Sequence, residues 1–468
     1  MKVEQLYTGC LAQGAYYIES EGEVAIIDPL REVQTYIDMA KSRNAKIKYI
    51  FETHFHADFV SGHVTLSDKT GAPIIYGPKA NPNFDCQIAT DGQEFELGNV
   101  KIRAIHTPGH TMESTCYLLI DENGKEHSLF SGDTLFLGDV GRPDLAQKAA
   151  TMTQEELAGI LFESLRNKLM TLPDDTIVYP GHGAGSACGK NMSKETVGSI
   201  GDQKATNYAL RADMTKEEFV KEVTDGLLPP PAYFPMNVEM NKSGYADIEE
   251  VIKKGSKALS PVGFEAAANE TGAVMLDVRH QSDFCEGHIP NSIFIGIDGG
   301  FAPWVGALIK DVKQPILLIA PPSRLDEVIT RLSRVGFDNV IGYLDGGLST
   351  WRKAGKEIDT VESVSAEEFA KIKENVVAYD VRKPSEYAAE HLEDVDNTPL
   401  DDINDYLSNF KSDEKNYLHC AGGYRSVIAI SILKSRGIHN LVDIRGGWAE
   451  ISKTGLPTTD FVCPTTLK

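Results

Sequence analysis

Positive charge is scarce in this 468-residue chain. Lys plus Arg number 46 against 68 for Asp plus Glu, a net charge of −22. Binding a nucleic-acid backbone or an anionic membrane surface needs the opposite balance, so neither is expected as a partner. Cysteine is sparse as well. Seven thiols, an odd number scattered over a long chain, do not make a disulfide framework. They fit a reducing compartment with free or reactive thiols. No apolar run approaches the roughly 20 residues that a membrane span needs. The opening MKVEQLYTGCLAQG has neither the basic nor the apolar segment of a signal peptide. A cytoplasmic protein is expected, self-associating as a homo-oligomer, with no membrane partner.

The composition is that of an ordinary globular protein, 41% hydrophobic and 24% charged. At roughly 100–200 residues per domain the chain holds several domains. The second half contains a repeat. MLDVRHQSDF at Met275–Phe284 recurs as AYDVRKPSEY at Ala378–Tyr387. LDGGLSTWRKAGKEI at Leu344–Ile358 recurs as IRGGWAEISKTGLPT at Ile444–Thr458. In each copy, buried-strand patterns such as AVMLDV and PILLIA alternate with helical ones such as SRLDEVITRLSRVG. That alternation predicts a parallel sheet covered on both faces. The expected domains are 1–258, 259–359 and 360–468, in an α/β multidomain chain.

The first half has a different texture. Its short strands run into loops loaded with His and Asp: KIKYIFE into His54, VKIRAIH into His110, HSLFSG into Asp133, and DTIVYP into His182. Polar groups gathered at strand ends are a common way for a sheet to build a site. The Pro-rich run Leu227–Asn237 is expected to be an ordered loop, because proline does not suit a helix interior or a central strand. Tyr233 or Phe234 could then cover a substrate.

The candidate site residues here are His54, His56, Asp58, His110, Asp133 and His182, with His63 nearby. Together with TPGHT, SGDTLF and YPGHG, the run ETHFHADF resembles the metallo-β-lactamase superfamily. That resemblance implies an αββα sandwich. It also implies one metal position lined by His54, His56 and His110, and another lined by Asp58, the residue at 59, and His182, with Asp133 between them. Here residue 59 is Phe, which has no lone pair to give, so one metal is expected. The residues leave its identity open. Three His suit zinc, whereas His54, His110 and Asp133 form the two-His, one-carboxylate set of non-haem Fe(II).

GDVGRPDL at Gly138–Leu145 resembles the persulfide dioxygenases, relatives of glyoxalase II. This resemblance implies Fe(II), one per chain, held by His54, His110 and Asp133. His56, Asp58 and His182 then become groups that bond to water or substrate. Arg142 is a candidate anchor for an anionic substrate, or else a salt-bridge partner of Asp144 or Asp139. Cys188, six residues after His182, is a candidate to hold or pass a persulfide.

YLHCAGGYRSVIAISILKSRG holds the second candidate site. A strand ends at His419, Cys420 follows, and a helix begins near Ser426. The loop of Ala421, Gly422, Gly423 and Tyr424 can turn N–H groups toward the sulfur. The helix N-terminus and Arg425 add positive charge, and each favours a thiolate. With DVR and GGW, this loop resembles the rhodanese sulfurtransferases. In the first copy the equivalent position is Ala320, followed by Pro321 and Pro322. It has no thiol and lacks two N–H donors, so a catalytically silent domain is expected. Cys285 is read as incidental.

The whole arrangement resembles fused persulfide dioxygenase–sulfurtransferases of sulfide detoxification. The implied partners are a low-molecular-weight thiol persulfide, O₂ and sulfite, with the thiol itself left open. Two rival readings are a zinc thioester hydrolase of glyoxalase II type and a non-catalytic sulfur-carrier scaffold.

Overall fold

A computed structural model describes residues 1–147, 151–227 and 229–462. Residues 1–248 with 333–336 form one compact unit, and residues 249–332 with 337–468 form a second.

The first unit is built on two six-stranded mixed sheets. One runs in the order Lys2–Thr8, Gln13–Ser20, Glu23–Ile27, Lys46–Phe51, Ile74–Tyr76 and Gln87–Ile88. The other runs in the order Gly198–Ser199, Ile177–Pro180, Glu126–Gly132, Thr115–Ile120, Val100–His106 and Glu94–Leu97. Alternation along the strands sorts their residues onto two faces. Tyr16, Ile18, Ile27 and Phe51 of the first sheet meet Ile102, Tyr117, Leu119 and Phe130 of the second in one buried core. The opposite faces carry Tyr17, Ile26 and Ile50 against the helix Gln34–Ser42, and Cys116, Leu118 and Leu129 against the helix Gln154–Ser164. The result is the expected αββα sandwich.

The second unit holds two five-stranded sheets, each wholly parallel. The first has the order Ala258–Leu259, Val340–Leu344, Ile316–Ile319, Val274–Asp277 and Ile293–Phe294. The second repeats it with Glu362–Val364, Leu441–Ile444, Asn416–His419, Val377–Asp380 and Asp396–Asn397. The repeated DVR motif is architectural in both copies. Asp277 pairs with Arg279 at 2.6 Å and Arg279 donates to the Gly287 carbonyl; Asp380 pairs with Arg382 at 2.6 Å and Arg382 donates to the Glu390 carbonyl.

The division between the two compact units falls at 248/249, close to the expected domain boundary at 258. Ala258–Leu259 is already an edge strand of the second unit, pairing with Tyr343 and Leu344, and that unit begins at Glu249 within the helix Ile248–Gly255. The Pro-rich segment is not all loop. Phe234–Ser243 is a helix with Pro235 in its first turn, where a missing N–H costs nothing. Tyr233 and Phe234 are buried, so neither lies open as a flap. Among the described residues no helix is long and apolar enough to cross a membrane.

Candidate metal centre and sulfur-transfer loop

Four strands of the sandwich deliver the metal-type residues just past their last residues. Lys46–Phe51 leads to His54, Val100–His106 to His110, Glu126–Gly132 to Asp133, and Ile177–Pro180 to His182. His54, His110 and Asp133 converge, with one ligand-type atom from each lying within 4.8 Å of the others. His54 Nε2 is 3.8 Å and His110 Nε2 3.7 Å from Asp133 Oδ2. All three residues are buried. The outer ring nitrogens are engaged elsewhere. His110 Nδ1 lies 2.8 Å from the Arg142 carbonyl, to which it donates, and His54 Nδ1 lies 3.0 Å from Thr53 Oγ1. Each Nε2 is thereby left facing the carboxylate with its lone pair. Burial and the neighbouring imidazoles push His54 well below the usual histidine range, so its lone pair stays free. Both carboxylate oxygens of Asp133 are buried without a hydrogen-bond partner. A cation would satisfy them, so the donor set fits a metal ion.

His56, Asp58 and His182 form an adjoining group. His182 Nε2 lies 3.4 Å from Asp58 and 3.6 Å from Asp133. Burial lowers its affinity for a proton, but the two carboxylates outweigh burial and push it up to about 10. His56 turns its Nε2 to Asp28, 3.1 Å away, and Glu52, 3.5 Å away. Phe59 is fully buried, its ring tilted against that of His56 with centroids 4.3 Å apart. His63 lies on the far side of Glu52, its Nδ1 3.6 Å from that carboxylate, packed among Tyr76, Phe84 and Tyr245, and burial holds it down to about 3.

Sequence reasoning missed Asp28 and Glu52. Asp28 also accepts from the Thr53 N–H and hydroxyl, at 2.8 Å each, and holds φ at 49°. The signal was present, since Asp28 follows the strand Glu23–Ile27 as the other site residues follow theirs. Burial, then the Asp28 charge, raises Glu52 well above the usual carboxylate range, so it keeps a proton. With His56 turned this way, His56→Ala is expected to keep most of the bound metal. Metal analysis checks this: loss as complete as in His54→Ala would place His56 among the ligands.

Arg142 takes the salt-bridge alternative, gripping Asp144 at 2.6 and 2.7 Å, while its backbone N–H meets the Cys188 carbonyl. Cys188 does reach the centre, grouped with Asp133 and His182. Burial and the Asp58 and Asp133 charges raise its thiol well above the ordinary value, so it rests protonated.

In the last domain the strand Asn416–His419 ends at the buried Cys420 and the helix Arg425–Ser435 follows. The Gly423 N–H donates to Cys420 Sγ at 3.1 Å. Ser426 Oγ lies 3.6 Å from the sulfur and donates to Asp443 at 2.7 Å. Arg425 is not the unshared positive charge expected. Glu386 holds its guanidinium at 2.6 and 2.8 Å, so that charge is largely balanced before it reaches the sulfur. The GGW motif supports the loop from behind. The Trp448 N–H meets the Cys420 carbonyl at 2.6 Å, and a Cβ on Gly447 would lie 2.2 Å from that oxygen. In the first copy Ala320 is buried at the end of Ile316–Ile319, and Pro322–Arg324 turns at once into 3₁₀ geometry, leaving no cradle.

Residues 8–182 match the family model of the metallo-beta-lactamase superfamily. Residues 260–354 and 365–454 each match that of the rhodanese-like domain. A metallo-β-lactamase domain is followed by two rhodanese-like domains. A metallo-β-lactamase from Staphylococcus aureus subsp. aureus COL is 29% identical over 74% of this chain and 98% of its own, with a TM-score of 0.64. ETHE1 from Myxococcus xanthus is 29% identical over 52% of this chain and 99% of its own, with a TM-score of 0.45. A probable hydroxyacylglutathione hydrolase from Schizosaccharomyces pombe is 32% identical over 38% of this chain, which spans 66% of that relative's length. His54, His110 and Asp133 fall within the matched metallo-β-lactamase segment, and Cys420 within the second matched rhodanese-like segment.

Proposed function

We propose that the metallo-β-lactamase domain is a persulfide dioxygenase with one non-haem Fe(II), and that the last rhodanese-like domain passes sulfane sulfur to its product. The observation that carries this reading is the buried trio His54, His110 and Asp133, two imidazoles and one carboxylate with unsatisfied oxygens, beside a Phe where a further ligand would stand. Iron(II) held there by His54, His110 and Asp133 would supply redox chemistry toward O₂ and a sulfur substrate. The protein residues do the rest. His54 presents a neutral nitrogen, His110 turns its Nε2 to the same carboxylate, Asp133 offsets positive charge, and His182 stands beside them where it can bond to a water or a substrate atom. Phe59, Phe136 and Tyr233 are buried around this centre and exclude bulk water.

The overall reaction is R–S–SH + O₂ + H₂O → R–SH + H₂SO₃, in which the outer sulfur is oxidised and O₂ is reduced. In the rhodanese-like domain the Cys420 thiolate attacks the outer sulfur of a second persulfide, releasing R–SH. Sulfite then attacks the outer sulfur of the Cys420 persulfide, the S–S bond breaks back to the Cys420 thiolate, and thiosulfate leaves.

The hydroxyacylglutathione hydrolase relative supports a second reading, zinc-dependent thioester hydrolysis. The two are separated by metal analysis of protein purified without oxygen, paired with oxygen uptake on glutathione persulfide and with thioester hydrolysis. One iron per chain and oxygen uptake are expected. Two zinc ions per chain with thioester cleavage would replace this reading with the second.

A further inference from the structure

The silent domain has no thiol at its loop, yet it receives part of the reactive loop of its neighbour within the same compact unit. Tyr424, the fourth residue after Cys420, donates its hydroxyl to the Gly296 carbonyl at 2.7 Å. Its ring meets Phe294 edge-on at 5.8 Å. Two glycines make the space. A Cβ on Gly299 would lie 2.3 Å from Tyr424 Cζ, and one on Gly296 would lie 3.2 Å from the ring. Neither glycine has a left-handed φ, so they are needed here for room and not for backbone freedom. The helix after the loop is held as well, since the Phe294 N–H donates to Ser431 Oγ at 3.0 Å.

Inside the loop, Cys420 Sγ has two polar neighbours of different kinds. Ser426 gives its proton to Asp443 and so accepts from the thiol. The Gly423 N–H is the donor that serves the sulfur as an anion. Gly423 sits at φ +89°, and glycine by itself does little to fix where that N–H points. The residue that follows it is Tyr424, and Tyr424 is anchored outside its own domain.

We propose that the silent rhodanese-like domain is a socket whose Gly296–Gly299 wall fixes Tyr424 and thereby aims the Gly423 N–H at Cys420 Sγ. Tyr424 is a positioning residue, and the silent domain is retained for this grip. The functional meaning rests on Cys420 carrying sulfur, but the geometry does not, and the test separates them.

In the full chain, Gly299→Ala places a methyl where the ring sits, and Tyr424→Phe keeps the ring and removes the hydroxyl. Alkylation of Cys420 by iodoacetamide, followed across pH by mass spectrometry of its peptide, reads the donor directly. For Gly299→Ala the rate near neutral pH should fall roughly tenfold, with the profile moved up by about one pH unit. Tyr424→Phe should move it in the same direction by less. Wild-type profiles in both variants would overturn the proposal. If Gly299→Ala shows no cooperative melt, Tyr424→Phe decides alone: a shifted profile supports the socket and an unshifted one overturns it. Wild-type protein that makes no thiosulfate from sulfite and persulfide would remove the sulfurtransferase reading and leave the alkylation result standing.

Discussion

Cys420→Ser should abolish thiosulfate formation, by about 10³-fold or more, while oxygen uptake on a persulfide continues. The substitution keeps the size of a buried side chain and its place beside the Gly423 N–H. It replaces the sulfur with a hydroxyl that stays protonated near neutral pH and cannot carry sulfane sulfur. The product should shift from thiosulfate to sulfite, read by chromatographic separation of the two. Adding Ala320→Cys should not restore thiosulfate, because Pro321 and Pro322 leave that loop without the N–H groups a sulfur anion needs. Unchanged thiosulfate output from Cys420→Ser would mean that another thiol carries the sulfur. Cys188 would be the first suspect, although its burial beside Asp58 and Asp133 keeps it a thiol.

Asp133→Ala should have the reciprocal effect. It removes the one carboxylate of the trio, whose two buried oxygens have no hydrogen-bond partner. Metal binding should be lost, and oxygen uptake should fall by about 10²-fold or more, since a ligand counts for at least as much as the groups that orient ligands. Thiosulfate formation from supplied sulfite and persulfide should persist, because Cys420 lies in the other compact unit. Elemental analysis of the variant is the check. Iron retained at one per chain would move the ligand role away from Asp133, with His56 and Asp58 next to be tested.

Much of this site is legible in the sequence because its residues follow strands directly. Once a strand is placed, the residue after it is placed too, and His54, His110, Asp133 and His182 all enter that way. The Cys420 loop is legible for the same reason, being a strand end, two glycines and a helix start in one short run. What the sequence conceals is partnership at a distance. Glu386 neutralises Arg425 from 39 residues away, and Gly296 receives Tyr424 from 128 away. No local pattern announces either pair, because each depends on how separate elements pack. The Pro-rich segment misled for a different reason. Proline forbids a helix interior but suits a helix start, and Pro235 stands at one.

The brief edge strands have a consequence of their own. Both parallel sheets end on strands of two or three residues: Ala258–Leu259 and Ile293–Phe294 in one, Glu362–Val364 and Asp396–Asn397 in the other. An outermost strand with so few unpaired backbone groups is a poor template for strand addition by another chain, the step that seeds amyloid-like growth. The central strands are another matter before they pair. Val274–Asp277 finds Ile316–Ile319 only across some forty residues of intervening chain, a slow closure of the kind that leaves apolar strands bare. The hazard of self-templating therefore belongs to the nascent chain, and it ends when the sheets close.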